Sequence, residues 1–201
     1  MSVTASADPQ SNQALSVLDQ RRCVPSRQLG EPAPDDATLL RMLQSAVRVP
    51  DHGKRVPFRF VRIRGAARQS LGESLAARAL QRDPGASDSA IDKDRNRFNH
   101  APLVVAVVAV LDPADTSIPE RERVLTAGCV CFTLLQAAQA LGFGATWLTG
   151  WPAYDTEVLR LLGLVEHEQV AGFIHIGTPL QAVPERERPD PASLLSDWTP
   201  A

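Results

Sequence analysis

Cysteine is scarce in this 201-residue chain: Cys23, Cys129 and Cys131 are all it has. Three unevenly spaced thiols supply neither a disulfide framework nor a zinc site, and they fit a reducing cytoplasm. Lysine is rarer still. Lys54 and Lys93 are the only two among 21 basic residues, so almost every cation is an arginine, the side chain suited to planar and phosphate recognition. An excess of either charge is missing too. A net charge of −2 gives no general attraction to nucleic acid or to acidic membranes. The N-terminus shows no secretory leader; residues 1–12 are polar and expected to be disordered, leaving 13–201 as one domain.

An uninterrupted apolar run is the last absence. Residues 124–154 carry no charge, yet Thr126, Thr133, Gln136 and Gln139 break the apolar pattern, as do Gly142, Gly144 and Pro152. A spanning helix needs about 20 mostly apolar residues without such breaks. The segment reads instead as a helix buried almost all round, followed by a buried strand. A chain of this size rarely buries a helix so fully alone, so a second subunit is expected to cover it.

What is present alternates in period. Residues 11–20 carry Ala14, Leu15 and Leu18 at helical spacing. Asp35 is the predicted N-cap of a helix with Leu39, Leu40, Leu43, Ala46 and Val47 on one stripe, ended by Pro50. Residues 58–63 read as an edge or half-exposed strand, since Arg59, Arg62 and Arg64 interleave the apolar positions. Helices are expected over 66–81 and 90–98. Residues 102–111 form a β-branched apolar run, the mark of a strand covered on both faces. The uncharged helix (121–141), a strand (144–150), a helix (154–162) stopped by Gly163 and a last strand (170–179) complete the pattern. The charged, proline-rich tail from Val183 wraps a neighbour or frays. This order predicts an α+β, three-layer arrangement with helices on both faces of a mixed sheet.

Several groups invite chemistry. Arg21-Arg22 ends a helix, where a cation favours the macrodipole by about 0.3–1 kcal/mol; two adjacent arginines point apart, leaving one for phosphate or flavin-ring recognition. Asp51-His52 offers a metal ligand or general base, and with His100 a metal hydrolase. The four histidines, His52, His100, His167 and His175, have no ligand spacing, so each is expected to be solvated. Gly142-Phe143-Gly144 lacks the dinucleotide register and reads as a helix C′ glycine. Cys23 offers a thiolate beside two arginines or a small packing residue. Cys129 and Cys131 read as core. Trp147 and Thr149 share a strand face, the first suited to core packing or a ring contact, the second to a ligand edge.

Together, Arg21-Arg22-Cys23, Glu31-Pro32-Ala33-Pro34, Arg48-Val-Pro-Asp51-His52, Pro57-Phe58, the APLVVAV strand, AGC…QAAQALGFGATW and VAGFIHIGTP resemble the nitroreductase family in its compact YdjA-like branch, from about Ala14 to Pro191. The resemblance implies a nitroreductase-like three-layer sandwich with a mixed, mainly antiparallel sheet. It also implies bound FMN and an intertwined homodimer with two sites at the subunit interface. Arg21, Arg22 and Cys23 would bind FMN. Arg48 and His52 would reach the flavin of the other subunit, Trp147, Leu148 and Thr149 would line it, and Ala137 would meet the nicotinamide. No side-chain acid or nucleophile and no metal is implied. Cys23 stands where the family has serine, Leu148 where close relatives have arginine, the loop after Cys23 is about two residues long for the pattern, and Gly53-Lys54-Arg55 is unusually basic.

The expected activity is cytoplasmic: NAD(P)H reduces the flavin, which reduces a nitroaromatic, quinone or related acceptor. A flavin-binding redox sensor or carrier would share every binding residue. No nucleic acid or membrane partner is expected.

Overall fold

The computed structural model describes residues 9–200. The first helix, α1, spans Pro9–Asp19 and so takes in residues 9–12, expected to be disordered; residues 1–8 lie outside the described residues.

The β-branched run is strand β3, Leu103–Val110, buried along all but its last residue. Its period of two sorts it between two cores. Leu103, Val105 and Val107 meet helix α2 (Asp36–Ala46) and helix α5 (Glu120–Ala140). Val104, Ala106 and Val108 meet Leu71 and Leu75 of helix α3 (Ala66–Arg82), Phe98, and Val158 of α6 (Thr156–Leu161). The short charged helix α4, Asp88–Arg95, packs on α3. Helices therefore cover both faces of one sheet, the three-layer arrangement that the alternation predicts.

The last strand, β5 (Glu168–Pro179), occupies the middle of the sheet. β3 runs along one of its edges, from Leu103↔Ile176 to Val110↔Glu168, and β4 (Gly144–Leu148) along the other, from Gly144↔Gly177 to Leu148↔Phe173. Strand β2, Phe58–Arg64, pairs only with β3 and is the expected edge. A two-residue strand that periodicity does not show, β1 (Leu29–Gly30), pairs with Pro179 and Thr178. All four pairings are antiparallel. Among the described residues the sheet has no parallel pair to make it mixed.

Local signals end the helices where they should. The Asp35 carboxylate accepts from the Thr38 amide at 2.7 Å at the start of α2. Gly142, at φ +83, closes α5: Phe143 N donates to Ala138 O and Gly142 N to Gln139 O, the paired bonds of a Schellman end.

Two expectations, for Cys129 and His175, need correction. Helix α5 is covered on one side by this chain and bare on the other, the face that a second subunit is expected to cover. Arg123, Thr126, Val130, Leu134 and Ala138 face the core, while Leu125, Cys129 and Phe132 line an opposite stripe in solvent. Uncharged residues on both sides of a helix show that both faces avoid water, not that one chain covers both. Cys129 is accordingly exposed and only Cys131 is core, where burial pushes its thiol up to about 12.

His175 is not solvated. It sits in β5, 1% exposed, its ring stacked on Phe98 with centroids 5.7 Å apart. Burial, then the charges of His100 and Arg97, push its imidazole down from 6.5 to about 4. Across that window the unfolded chain holds more protons than the folded one. The contribution to stability is therefore complete above 6.5 and is lost as the pH falls towards about 4. His175→Leu is expected to flatten this acid limb. Melting temperatures between about pH 7 and about pH 4.5 measure it; equal slopes in both proteins would exclude His175 as its source.

Candidate active site

Arg21, Arg22 and Cys23 follow the end of α1 and are tied to the end of α5. The Arg22 amide donates to Gln139 Oε1 at 2.9 Å. Its guanidinium donates to Asp19 O at 3.0 Å, satisfying a carbonyl at the C-terminus of α1. The helix-end role weighed for the arginine pair thus falls to Arg22. Arg21 turns aside, its Nη1 3.0 Å from Sγ of half-buried Cys23.

A cavity of about 330 Å³ opens beside this segment, walled by Arg22, Cys23, Gln28, Arg186 and Arg188. A second, of about 350 Å³, shares Arg22 and reaches Gln139, Phe143 and Gly144. Three arginines thus line one space, and a guanidinium can offer two parallel N–H donors to an anion. Arg186 and Arg188 were missed by sequence reasoning, which read the tail as a wrap or a fray. The signal was the run Pro184-Glu-Arg-Glu-Arg-Pro189, too charged for a plain linker. Gln139 was missed too, since a polar residue in an apolar helix announces a buried bond but not its partner.

Trp147 and Leu148 lie at the end of β4, each 37% exposed, so neither is core. A bulge in β5 places the indole. Val107 pairs with Gly172 and Val108 with Val170, leaving Ala171 as the extra residue. Its carbonyl accepts from Trp147 Nε1 at 3.2 Å, while Gly172 provides the space beneath the ring. Thr149 lies just past the strand and is half-buried, so it does not share a strand face with Trp147 as expected. Ala137 is 9% exposed within the core cluster of Leu134 and Ala138.

Arg48 and His52 lie elsewhere. Arg48 is exposed just past α2. His52 opens a 3₁₀ turn, and its Nδ1 lies 2.6 Å from Glu122 Oε2 in the first turn of α5. Asp51 is spent on the loop itself: its carboxylate accepts from Arg55 N at 3.1 Å and Val56 N at 2.8 Å. These bonds hold Val56 at φ +49, a left-handed conformation that a β-branched residue resists. Glu122 and Gln139, the anchors of the two site halves, stand at opposite ends of α5 and are about 25 Å apart along its axis. One chain does not bring Arg48 and His52 to Arg22.

Residues 18–178 match the nitroreductase family. The chain belongs to this family. It is 34% identical over 184 residues to "Putative NAD(P)H nitroreductase YdjA" of Escherichia coli (strain K12), covering 91% of this chain and 98% of that protein. It is also 34% identical over 174 residues to the Haemophilus influenzae protein of the same description without the suffix, covering 87% and 92%. In fold, this nitroreductase-family chain is similar to the Nitroreductase-like Family Protein from Bacillus cereus, with a TM-score of 0.77 at 19% identity over 97% and 98% of the two chains. It is similar also to "a putative nitroreductase in complex with fmn" from Desulfovibrio desulfuricans, at a TM-score of 0.72 and 21% identity, over 97% and 100% of the two chains. Among the described residues no helix is long and apolar enough to cross a membrane.

A Cβ on Gly172 would collide with the Trp147 indole. Gly172→Ala is expected to lift the ring from the sheet and break its bond to Ala171, at a cost of about 1–3 kcal/mol. Urea denaturation followed by tryptophan emission measures this; an unchanged midpoint and spectrum would show that the ring adapts freely.

Proposed function

We propose that the chain is an FMN-dependent oxidoreductase that takes electrons from NAD(P)H and delivers them to a nitroaromatic, quinone or related acceptor. It works as a cytoplasmic homodimer with both sites at the subunit interface. The observation that carries this reading is the set of three arginines around one cavity at the foot of α5. Arg22, Arg186 and Arg188 supply the charge-assisted donors that a phosphate di-anion needs, each such bond contributing roughly 1.5–3 kcal/mol. Trp147 and Leu148 supply an exposed apolar step for a flat ring. Bound there, FMN supplies the hydride chemistry, and the protein binds and orients. The chain's own residues need no acid or nucleophile for this.

Two features support the dimer. The two halves of the site lie at opposite ends of α5, so a partner whose α5 runs antiparallel would bring its Arg48 and His52 to this chain's Arg21, Arg22 and Cys23. The exposed stripe of Leu125, Cys129 and Phe132 lies between those ends, where the two helices would meet. Three free thiols fit the cytoplasm. Donor and acceptor would use one cleft in turn, which gives ping-pong kinetics.

The purified protein is expected to be yellow, with absorbance near ~450 nm, and to oxidise NADH or NADPH when a quinone is added. A colourless protein that takes up no added FMN sinks the reading; tight flavin without turnover would favour a redox sensor or carrier. Arg21→Ala and Arg48→Ala should each lower flavin occupancy. In a mixed dimer of the two variants, one site of the pair regains both arginines, so occupancy should recover towards half. No recovery would place both residues in the same subunit's site.

A further inference from the structure

Two arginines of the cationic cavity already bind an anion of the chain's own. Glu185 lies in the strap that follows β5. Its Oε2 is 2.5 Å from Arg22 Nη1. Its Oε1 is 2.8 Å from Arg188 Nη2 and accepts from Arg188 Nε at 3.0 Å. The Arg186 backbone amide donates to the same oxygen at 3.0 Å. One carboxylate thus spans the guanidiniums of Arg22 and Arg188, two of the three arginines that line the cavity, each oxygen taking a different arginine, as two oxygens of a phosphate would. Burial works against its ionisation, but the Arg186 amide and the Arg188 and Arg22 guanidiniums outweigh it and hold Glu185 below the usual carboxylate range. Its side chain is 46% exposed, so it can swing into solvent without disturbing either core.

We infer that Glu185 is an internal competitor for the phosphate subsite: its carboxylate occupies Arg22 and Arg188 in the flavin-free protein and is displaced when a phosphate group binds. The inference rests on the flavin reading above for the identity of the ligand. It follows from charge. A phosphate cannot take both arginines while the carboxylate holds them, and a carboxylate left beside a di-anion repels it. Glu185 therefore keeps the arginines ordered in the empty site and weakens the binding of flavins that carry a phosphate. Riboflavin, which has the same ring and no phosphate, does not contest the arginines. The opposite role, a buttress that aims the arginines at the phosphate, predicts the opposite sign.

The test uses the full-length chain freed of flavin, as wild type, Glu185→Gln and Glu185→Ala. Each is titrated with FMN and with riboflavin by quenching of flavin fluorescence. The expected result is an FMN dissociation constant about tenfold lower in Glu185→Gln and lower in Glu185→Ala, with riboflavin changed by less than about twofold. FMN binding that is unchanged or weaker in both variants overturns the inference, and so do equal gains for FMN and riboflavin. A wild type that binds neither flavin overturns the proposed function instead. Inorganic pyrophosphate then decides the inference: a larger thermal shift in Glu185→Gln than in wild type upholds it, and equal shifts or none overturn it.

Discussion

Helix α5 sets the geometry on which everything else depends. Twenty-one residues at about 1.5 Å each make a rod roughly 30 Å long. One side of it anchors the sheet through Val130, Leu134 and Ala138. Gln139 at its end holds the segment of Arg22, and Glu122 at its start holds His52. A rigid helix keeps these anchors apart. The same helix offers its outer stripe to solvent, and the apolar residues there are what a second rod would cover. In the proposed dimer site and assembly are thereby linked: the element that separates the two proposed halves of the site within a chain would reunite them between chains.

The sheet contributes in a different way. Central β5 is long enough to pair with β3, β4 and β1, so its one irregularity is felt across the site. The extra residue at Ala171 frees a carbonyl, and the glycine after it frees a volume; Trp147 uses both. A bulge here aims a large ring outward from an otherwise ordinary edge. The strain at Val56 belongs to the same class of device, a local cost held in place by a side chain, here Asp51, whose carboxylate meets two backbone amides.

Charge in the tail completes the picture. Glu185, Arg186 and Arg188 are neighbours in sequence, yet Glu185 also meets Arg22, which lies more than a hundred and fifty positions earlier. A carboxylate among arginines organises them when nothing else does. If a phosphate binds there as proposed, the carboxylate sets how much it must displace, so a surface ion pair of little worth to stability would bear on ligand preference.

The helices α2 and α5, the covered strand β3 and the edge strand β2 were legible in the sequence, because periodicity reports which faces avoid water. So were the ends at Asp35 and Gly142, since capping is a local matter. The proposed roles of Arg21, Arg22, Arg48, His52 and Trp147 rest on their order along the chain, through the family resemblance, and not on contacts within one chain. Other features were beyond reach: the burial of His175, the exposure of Cys129, the withdrawal of Ala137 into the core, the bond from Arg22 to Gln139 and the clamp of Glu185. The reason is the same in each case. Periodicity tells that a face is covered but not by what, and a charged residue finds its partner across distances in sequence that no local pattern encodes. The sequence by itself determined the layers and their limits; only the tertiary structure decided which side chains meet.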